Sequence, residues 1–358
     1  MVNIHGALLY LFVTFFLVFT VPASAKCVNN KSSCDYVIES RNHIVYVVNS
    51  GNDTISICQR NKDDGSILDN CIISTAHGLL SQPQEIILNN KRTRAYISNL
   101  GTVQGFTKGS VTMCPLYRDG TFIEDECVAM GGNGSFDQPI GITLGNCDNF
   151  LYVANGLDST PSSISSCPIR PDGNFSYCAR QYHCGPLGSN GVTVDPLCKF
   201  IYITNYYSNF DHSTPNRGPG AITICPLDEC GTIELERCIQ SDAGNTVNRP
   251  FGIKINPLFT FAIIVNKGEN ETSRSLSVCP VDQFSGLLSS DCTSIDDSSL
   301  SSPHSQSFDP LGRFAYITNT NNNTLTVCGF GKFGSISKCE SYGGNGIFNQ
   351  PRGIFVYE

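Results

Sequence analysis

The chain has 358 residues with 33 glycines, 18 prolines and no tryptophan, a composition that suits a turn-rich all-β fold and carries no long helical periodicity after residue 25. Its formal net charge of −8 has no basic run to offset it, which argues against nucleic acid or an anionic membrane surface as a partner. Eighteen cysteines without one Cys-x-x-Cys pair speak for disulfides in an oxidising compartment rather than for a thiolate metal site.

Residues 1–25 read as a secretory signal. An apolar run from Ala7 to Thr20 precedes Val21-Pro22-Ala23-Ser24-Ala25, and small residues at 23 and 25 suit cleavage before Lys26. The segment ahead of that run has no Lys or Arg, so an uncleaved anchor is the alternative, although the run is shorter than the roughly 20 residues a spanning helix needs. Residues 26–358 are then one exported domain, secreted or periplasmic, with no membrane span once the signal is removed.

Six short apolar segments, each closed by asparagine, pace that domain. They are Tyr46-Val47-Val48-Asn49, Tyr96-Ile97-Ser98-Asn99, Tyr152-Val153-Ala154-Asn155, Tyr202-Ile203-Thr204-Asn205, Ile263-Ile264-Val265-Asn266 and Tyr316-Ile317-Thr318-Asn319. Their first residues are 50, 56, 50, 61 and 53 positions apart, the period of a stacked supersecondary unit. After each comes a cysteine pair: Cys58–Cys71, Cys114–Cys127, Cys167–Cys178, Cys225–Cys238, Cys279–Cys292 and Cys328–Cys339. Separations of 11 or 13 let the two cysteines face each other across a two-residue hairpin turn, and the midpoints fall on or beside glycines 65, 120, 173, 231, 286 and 334. Six cross-strand disulfides are predicted. Of the remaining cysteines, Cys27 with Cys34 is a candidate local bridge, Cys198 with Cys230 would join two turns of the fourth repeat, and elimination leaves Cys147 with Cys184.

Ahead of each asparagine segment lies a further strand, introduced by Gln82-Pro83, Gln138-Pro139-Ile140-Gly141-Ile142, Arg249-Pro250-Phe251-Gly252-Ile253 or Gln350-Pro351-Arg352-Gly353-Ile354. Each unit thus holds four antiparallel strands. Six such units make an all-β β-propeller of four-stranded antiparallel blades, with seven blades or a solenoid as alternatives. Tyr36–Ser40 resembles a first strand for repeat one, while Gly353–Tyr357 is a surplus copy, expected to pair with the first blade and latch the ring.

These segments, the Pro-x-Gly-Ile strands and the Asp-Gly turns resemble the YVTN-type repeats of secreted, lactonase-like β-propellers over about residues 35–357. The Pro-x-Gly-Ile strand is also similar to NHL repeats, and the paired cysteines look like those of a disulfide-bearing exported subgroup. The resemblance implies the fold and a lactonase-type activity as one option, and it maps no catalytic residue onto this chain. The absence of tryptophan excludes WD40 repeats.

Chemistry is sought where the repeats differ. The six closing asparagines are expected to be structural, each satisfying backbone where its strand turns. Aligned strand starts place Gln84, Ile140, Asn190, Phe251, His304 and Arg352 around one channel mouth, with Glu85 beside Gln84. Glu85, His304 and Arg352 are the candidate catalytic set for acid–base hydrolysis, and Gln84, Asn190 and Phe251 are candidate binding residues. His77, His183 and His304, on alternate interblade loops, are a weak metal candidate. No cofactor is otherwise predicted, a divalent metal in the channel being the alternative. The longest insertion, in repeat four, offers Tyr206, Tyr207, Phe210, Asp211 and His212 as a recognition surface. Sequons at Asn30, Asn52, Asn133, Asn174, Asn270 and Asn322 would matter only in a eukaryotic secretory pathway. The chain is expected to be a monomeric, non-catalytic binding or scaffold propeller whose loop-rich face engages a protein or glycan. A lactonase-like hydrolase at the channel mouth is the alternative.

Overall fold

A computed structural model describes residues 43–357, apart from 69, 146–147, 157–162, 183–187, 209–217, 269–273 and 344–345. Blade one contains β1 (Ile44–Asn49), β2 (Thr54–Gln59) and β3 (Ile72–Ser74), and blade two β4 (Pro83–Leu88), β5 (Arg94–Asn99), β6 (Ser110–Pro115) and β7 (Val128–Met130). Blade three contains β8 (Pro139–Gly145), β9 (Phe150–Asn155), β10 (Ser163–Pro168) and β11 (Ala179–Tyr182). Blade four contains β12 (Ser189–Val194), β13 (Phe200–Asn205), β14 (Ala221–Pro226) and β15 (Ile239–Ser241). Blade five contains β16 (Pro250–Ile255), β17 (Phe261–Asn266), β18 (Ser275–Pro280) and β19 (Thr293–Asp296). Blade six contains β20 (Pro303–Phe308), β21 (Phe314–Asn319), β22 (Thr324–Phe330) and β23 (Ile336–Gly343). The last strand, β24 (Pro351–Tyr357), pairs antiparallel with β1 and is the innermost strand of blade one. The ring therefore has six blades and closes through its C-terminal strand. Tyr36–Ser40, read from sequence as an inner strand, lies outside the described residues, and β24 fills the position that it was expected to take.

The asparagine segments are the second strands, and they are apolar throughout because a neighbouring blade covers each face. All six residues of β1 and of β17 are buried. The apolar core accordingly divides into one cluster per seam. Tyr46, Val48 and Ile55 of blade one meet Ile86 and Ile97 of blade two, for example. The sixth cluster joins Tyr316 and Leu325 of blade six to Val45, Val47 and Ile354 of blade one, so no seam lacks a core. A solenoid would have left two such faces uncovered.

Four of the segment tyrosines do more than fill space. Tyr46 donates its hydroxyl to the Gly120 carbonyl at 2.7 Å, Tyr96 to Gly173 at 3.0 Å, Tyr152 to Gly231, and Tyr202 to Gly286 at 2.8 Å. Each acceptor is the turn glycine of the next blade's outer hairpin. That glycine is constrained twice, by a positive φ and by the approaching ring: a Cβ at Gly120 would lie 2.7 Å from the Tyr46 hydroxyl. The closing asparagines are structural, as expected. Asn49, Asn99, Asn155, Asn266 and Asn319 each accept a backbone N–H from the loop leading into the adjacent inner strand, at 3.0–3.2 Å.

The six hairpin disulfides form as predicted, with cysteine Cα atoms 4.1–4.2 Å apart. The turns between them are longer than two residues. In blade two Tyr117 and Thr121 flank a three-residue loop, and a short 3-10 helix at Glu124–Glu126 absorbs the extra residue before Cys127. The cysteines keep their opposition because the outer ladder continues in their register, as Met113↔Val128 shows for Cys114 and Cys127. The bridge expected between Cys198 and Cys230 is not formed, and both are free thiols. Beside Cys230, the Gly231 carbonyl accepts the Tyr152 hydroxyl. Cys27, Cys34, Cys147 and Cys184 lie outside the described residues. No helix among the described residues is long and apolar enough to cross a membrane.

Candidate functional site

The inner strands β4, β8, β12, β16, β20 and β24 line the central channel, and their sequences build it in layers. Five of them begin at proline, preceded by a residue held at positive φ: Gln82, Gln138, Arg249, Ser302 and Gln350, at +45° to +54°. That backbone turns the chain from the interblade loop into the channel wall, and it fixes the next residue at the mouth. Gln84, Asn190 and His304 are buried there, while Ile140, Phe251 and Arg352 are half-buried. Each of the six is the second residue of its inner strand.

One residue deeper the wall tightens. A Cβ at Gly353 would lie 2.5 Å from the Glu85 Cα, at Gly141 2.4 Å from the Asn190 carbonyl oxygen, and at Gly191 2.4 Å from that of Phe251. Glycine is required because neighbouring inner strands meet backbone to backbone. Blades two and six break the rule with Glu85 and Ser305, and these two side chains reach past Gly353 to each other. The Ser305 hydroxyl donates to Glu85 Oε2 at 2.6 Å, while the amides of Ile86 and Ile354 both donate to Oε1 at 3.2 Å. Glu85 is thus a closed, fully hydrogen-bonded plug below the mouth. Its hydrogen bonds go to Ser305, Ile86 and Ile354, and Arg352 bonds Gln84 instead.

Hydroxyls on alternate second strands hold this layer. Ser98, Thr204 and Thr318 accept the amides of Glu85, Gly191 and Ser305 and donate to the carbonyls of Ile140, Phe251 and Arg352 at 2.5–2.6 Å. Blades one, three and five carry Val48, Ala154 and Val265 at that position. The alternation is visible in the sequence, at the residue before each closing asparagine.

At the mouth itself, Arg352 donates to Gln84 Oε1 at 2.6 Å. His304 is 2% exposed, and neither ring nitrogen has a partner among the described residues. Its ring lies against Phe251, centroids 4.0 Å apart. The contact continues outward through Tyr206, 6.5 Å from Phe251, to Tyr207, a further 5.0 Å. Cations flank the row: Lys267 Nζ lies 4.8 Å from the Phe251 centroid, and the Arg249 guanidinium 5.5 Å from that of Tyr206. Tyr206 and Tyr207, the first residues of the blade-four insertion, are thereby continuous with Phe251 and His304 of the inner strands. Beside it, a groove of about 550 Å³ runs from Ser208 to Gln240 and Ser290. Phe210, Asp211 and His212 lie outside the described residues.

The histidine set divides. His77 is exposed at the rim, with Nδ1 3.3 Å from Asp125 Oδ1, whereas His304 is buried beside the axis. His183 lies outside the described residues, and among those described no three His, Cys, Asp or Glu side chains cluster as metal ligands.

Electrostatics separate His304 from Glu85 as well. Burial, then the charges of Lys267 and Arg352, hold the His304 imidazole well below its ordinary 6.5. A base depressed in the folded state contributes stability that is present above pH 6.5 and is lost as pH falls below it. Burial raises the Glu85 carboxyl above its ordinary 4.5 against the Lys254 charge and the Ser305 hydrogen bond. Its contribution runs the other way, present below pH 4.5 and shrinking as pH rises towards the folded value. Replacing His304 with Gln is expected to flatten the decline in urea stability below pH 6.5. The same slope in both proteins would mean that His304 is not its source.

No protein-family model matches the chain, and no curated protein sequence matches it. Its fold is similar to solved propellers. The periplasmic gluconolactonase of Pseudomonas aeruginosa shares 15% identity, covering 88% of this chain and 99% of that one, with a TM-score of 0.59. A putative 6-phosphogluconolactonase of Bacteroides fragilis shares 13%, covering 90% and 100%, with a TM-score of 0.59. A chain of the nidogen/laminin complex shares 12%, covering 88% and 98%, with a TM-score of 0.58. The chain thus has the lactonase-like propeller fold, which the same comparison finds in a chain of the nidogen/laminin complex. At these identities the likeness is one of fold alone.

Proposed function

We propose that this chain is an exported binding propeller whose loop-rich face takes a protein or glycan partner. The observation that carries the reading is the aromatic row Tyr207–Tyr206–Phe251–His304, which runs from the insertion to the channel mouth with cations beside it. Rigid aromatic surface edged by hydrogen-bonding groups is what such recognition uses, since it gives contact area at low entropy cost. Hydrolysis is supported less well. Glu85 is occupied by Ser305 and two amides, and His304 has no orienting partner, so the acid–base set lacks its carboxylate. Six disulfides support an oxidising destination.

The hydrolase reading keeps one specific support, the neutral, unpartnered imidazole of His304 within a lactonase-like fold. Both readings are tested together by screening purified protein on a glycan array and against extracellular protein fractions, alongside sugar δ-lactone hydrolysis. Saturable binding that Phe251→Ala weakens about tenfold or more is expected, in line with a buried aromatic anchor. Lactone turnover abolished by His304→Ala, with no saturable binding, would replace the binding reading by the hydrolase.

A further inference from the structure

The channel has a second mouth on the opposite face, sealed from the first by the glycine layer and by the Glu85–Ser305 plug. A cavity of about 320 Å³ opens there, lined by the far ends of all six inner strands. Its wall is set by one register position, four residues after each strand start, where the side chains turn into the channel. Three consecutive blades place Thr143, Thr193 and Lys254 at that position. The two threonines are 5% exposed, and none of the three side chains makes a hydrogen bond to the described residues. Across from them the same position carries Ile87, Ser307 and Phe355, the Ser307 hydroxyl accepting the Val356 amide at 3.2 Å. One wall thus presents an ammonium and two hydroxyls whose donors are unused, and the facing wall sets two apolar side chains beside one hydroxyl that already accepts a backbone amide.

Charge narrows the occupant further. Lys254 is the one basic side chain of the lining. The nearest acid above it, Glu85, has both oxygens engaged by Ser305 and backbone amides, and burial pushes its carboxyl towards the neutral form. At the outer rim stand Asp148 and Asp195. Asp148 accepts the Asn90 amide at 2.7 Å, and Asp195 accepts those of Leu197, Lys199 and Phe200 at 2.5–2.8 Å. Two carboxylates at the opening disfavour a dianion such as a phosphate monoester and tolerate a single negative charge.

We infer that this opposite mouth is a binding site for a small monocarboxylate with an apolar body, its carboxylate held by Lys254, Thr143 and Thr193 and its body against Ile87 and Phe355. The site is independent of the loop-rich face.

Titration calorimetry of the full-length protein with sodium hexanoate is expected to give saturable 1:1 binding. Hexanamide, the neutral isostere, should bind at least about tenfold more weakly, the worth of a charge-assisted hydrogen bond. Lys254→Met should weaken hexanoate by a similar factor, and Thr143→Val and Thr193→Val by about threefold each. Tyr117→Ala, on the exposed outer hairpin of blade two, should leave binding unchanged. No saturable binding at millimolar hexanoate, equal binding of the amide, or full binding by a folded Lys254→Met protein would each overturn the proposal. The hexanamide comparison needs no variant, so misfolding of Lys254→Met leaves it decisive.

Discussion

A chain ending at Asn349 is expected to lose cooperative unfolding altogether. Removing β24 strips blade one of its innermost strand and uncovers the seam cluster that Ile354 and Val356 complete. Each of those side chains is worth about 1.5–3 kcal/mol of burial. The same cut removes the ladder to β1, the Ile354 amide on Glu85 and the Arg352 bond to Gln84. Together these losses match or exceed the roughly 5–15 kcal/mol that a folded domain holds in total. The truncated protein should show no sharp thermal transition and rapid proteolysis, against one transition for the full chain. A sharp melt near the full-length temperature would mean that ring closure does not depend on β24.

The second large effect is reductive. Opening one hairpin, as in the double substitution Cys225→Ala with Cys238→Ala, is expected to cost about 3 kcal/mol, the chain-entropy value for a loop of this length. Reducing all six should lower stability far more, though not six-fold, because the hairpins share seams and their losses are not additive. Urea titrations of native, single-pair and fully reduced protein make the comparison. A reduced protein with an unchanged midpoint would leave the bridges without a stabilising role. The effect should be local to the outer strands, since β3, β7 and β15 are only three residues long and have few other ties to the sheet.

Much of this was legible in the sequence because a propeller repeats its solution. The asparagine segments, hairpin cysteines and Pro-x-Gly strands each recur with one structural reason, so blade number, strand order and disulfide pairing could be read from spacing. The mouth register of Gln84, Asn190, Phe251, His304 and Arg352 followed from the same alignment. Glu85 stands one step along its inner strand from Gln84, and that step changes the layer, from the mouth to the glycine ring. The signal was present: Glu85 and Ser305 stand where blades one, three, four and five have glycine. The opposite cavity was harder to see. Thr143, Thr193 and Lys254 lie in strand interiors, and only the stacking of three blades brings their unused donors together.

The tyrosine contacts also show how each blade is held at its outer edge. Blades one to four each hold the outer hairpin of their successor through a hydroxyl. Blade five has Ile263 instead. The Tyr316 hydroxyl of blade six finds no acceptor among the described residues, and the Arg60 guanidinium lies 5.9 Å from its ring centroid. The two seams without this tether flank the same blade, the one that carries His304 and Ser305. Other side chains take the tyrosine's place there: Thr260 of blade five donates to the Lys332 carbonyl in the blade-six hairpin, and Arg313 of blade six to the Lys62 carbonyl in the blade-one hairpin, each at 2.8 Å, so the ring is clasped at its outer edge all the way round.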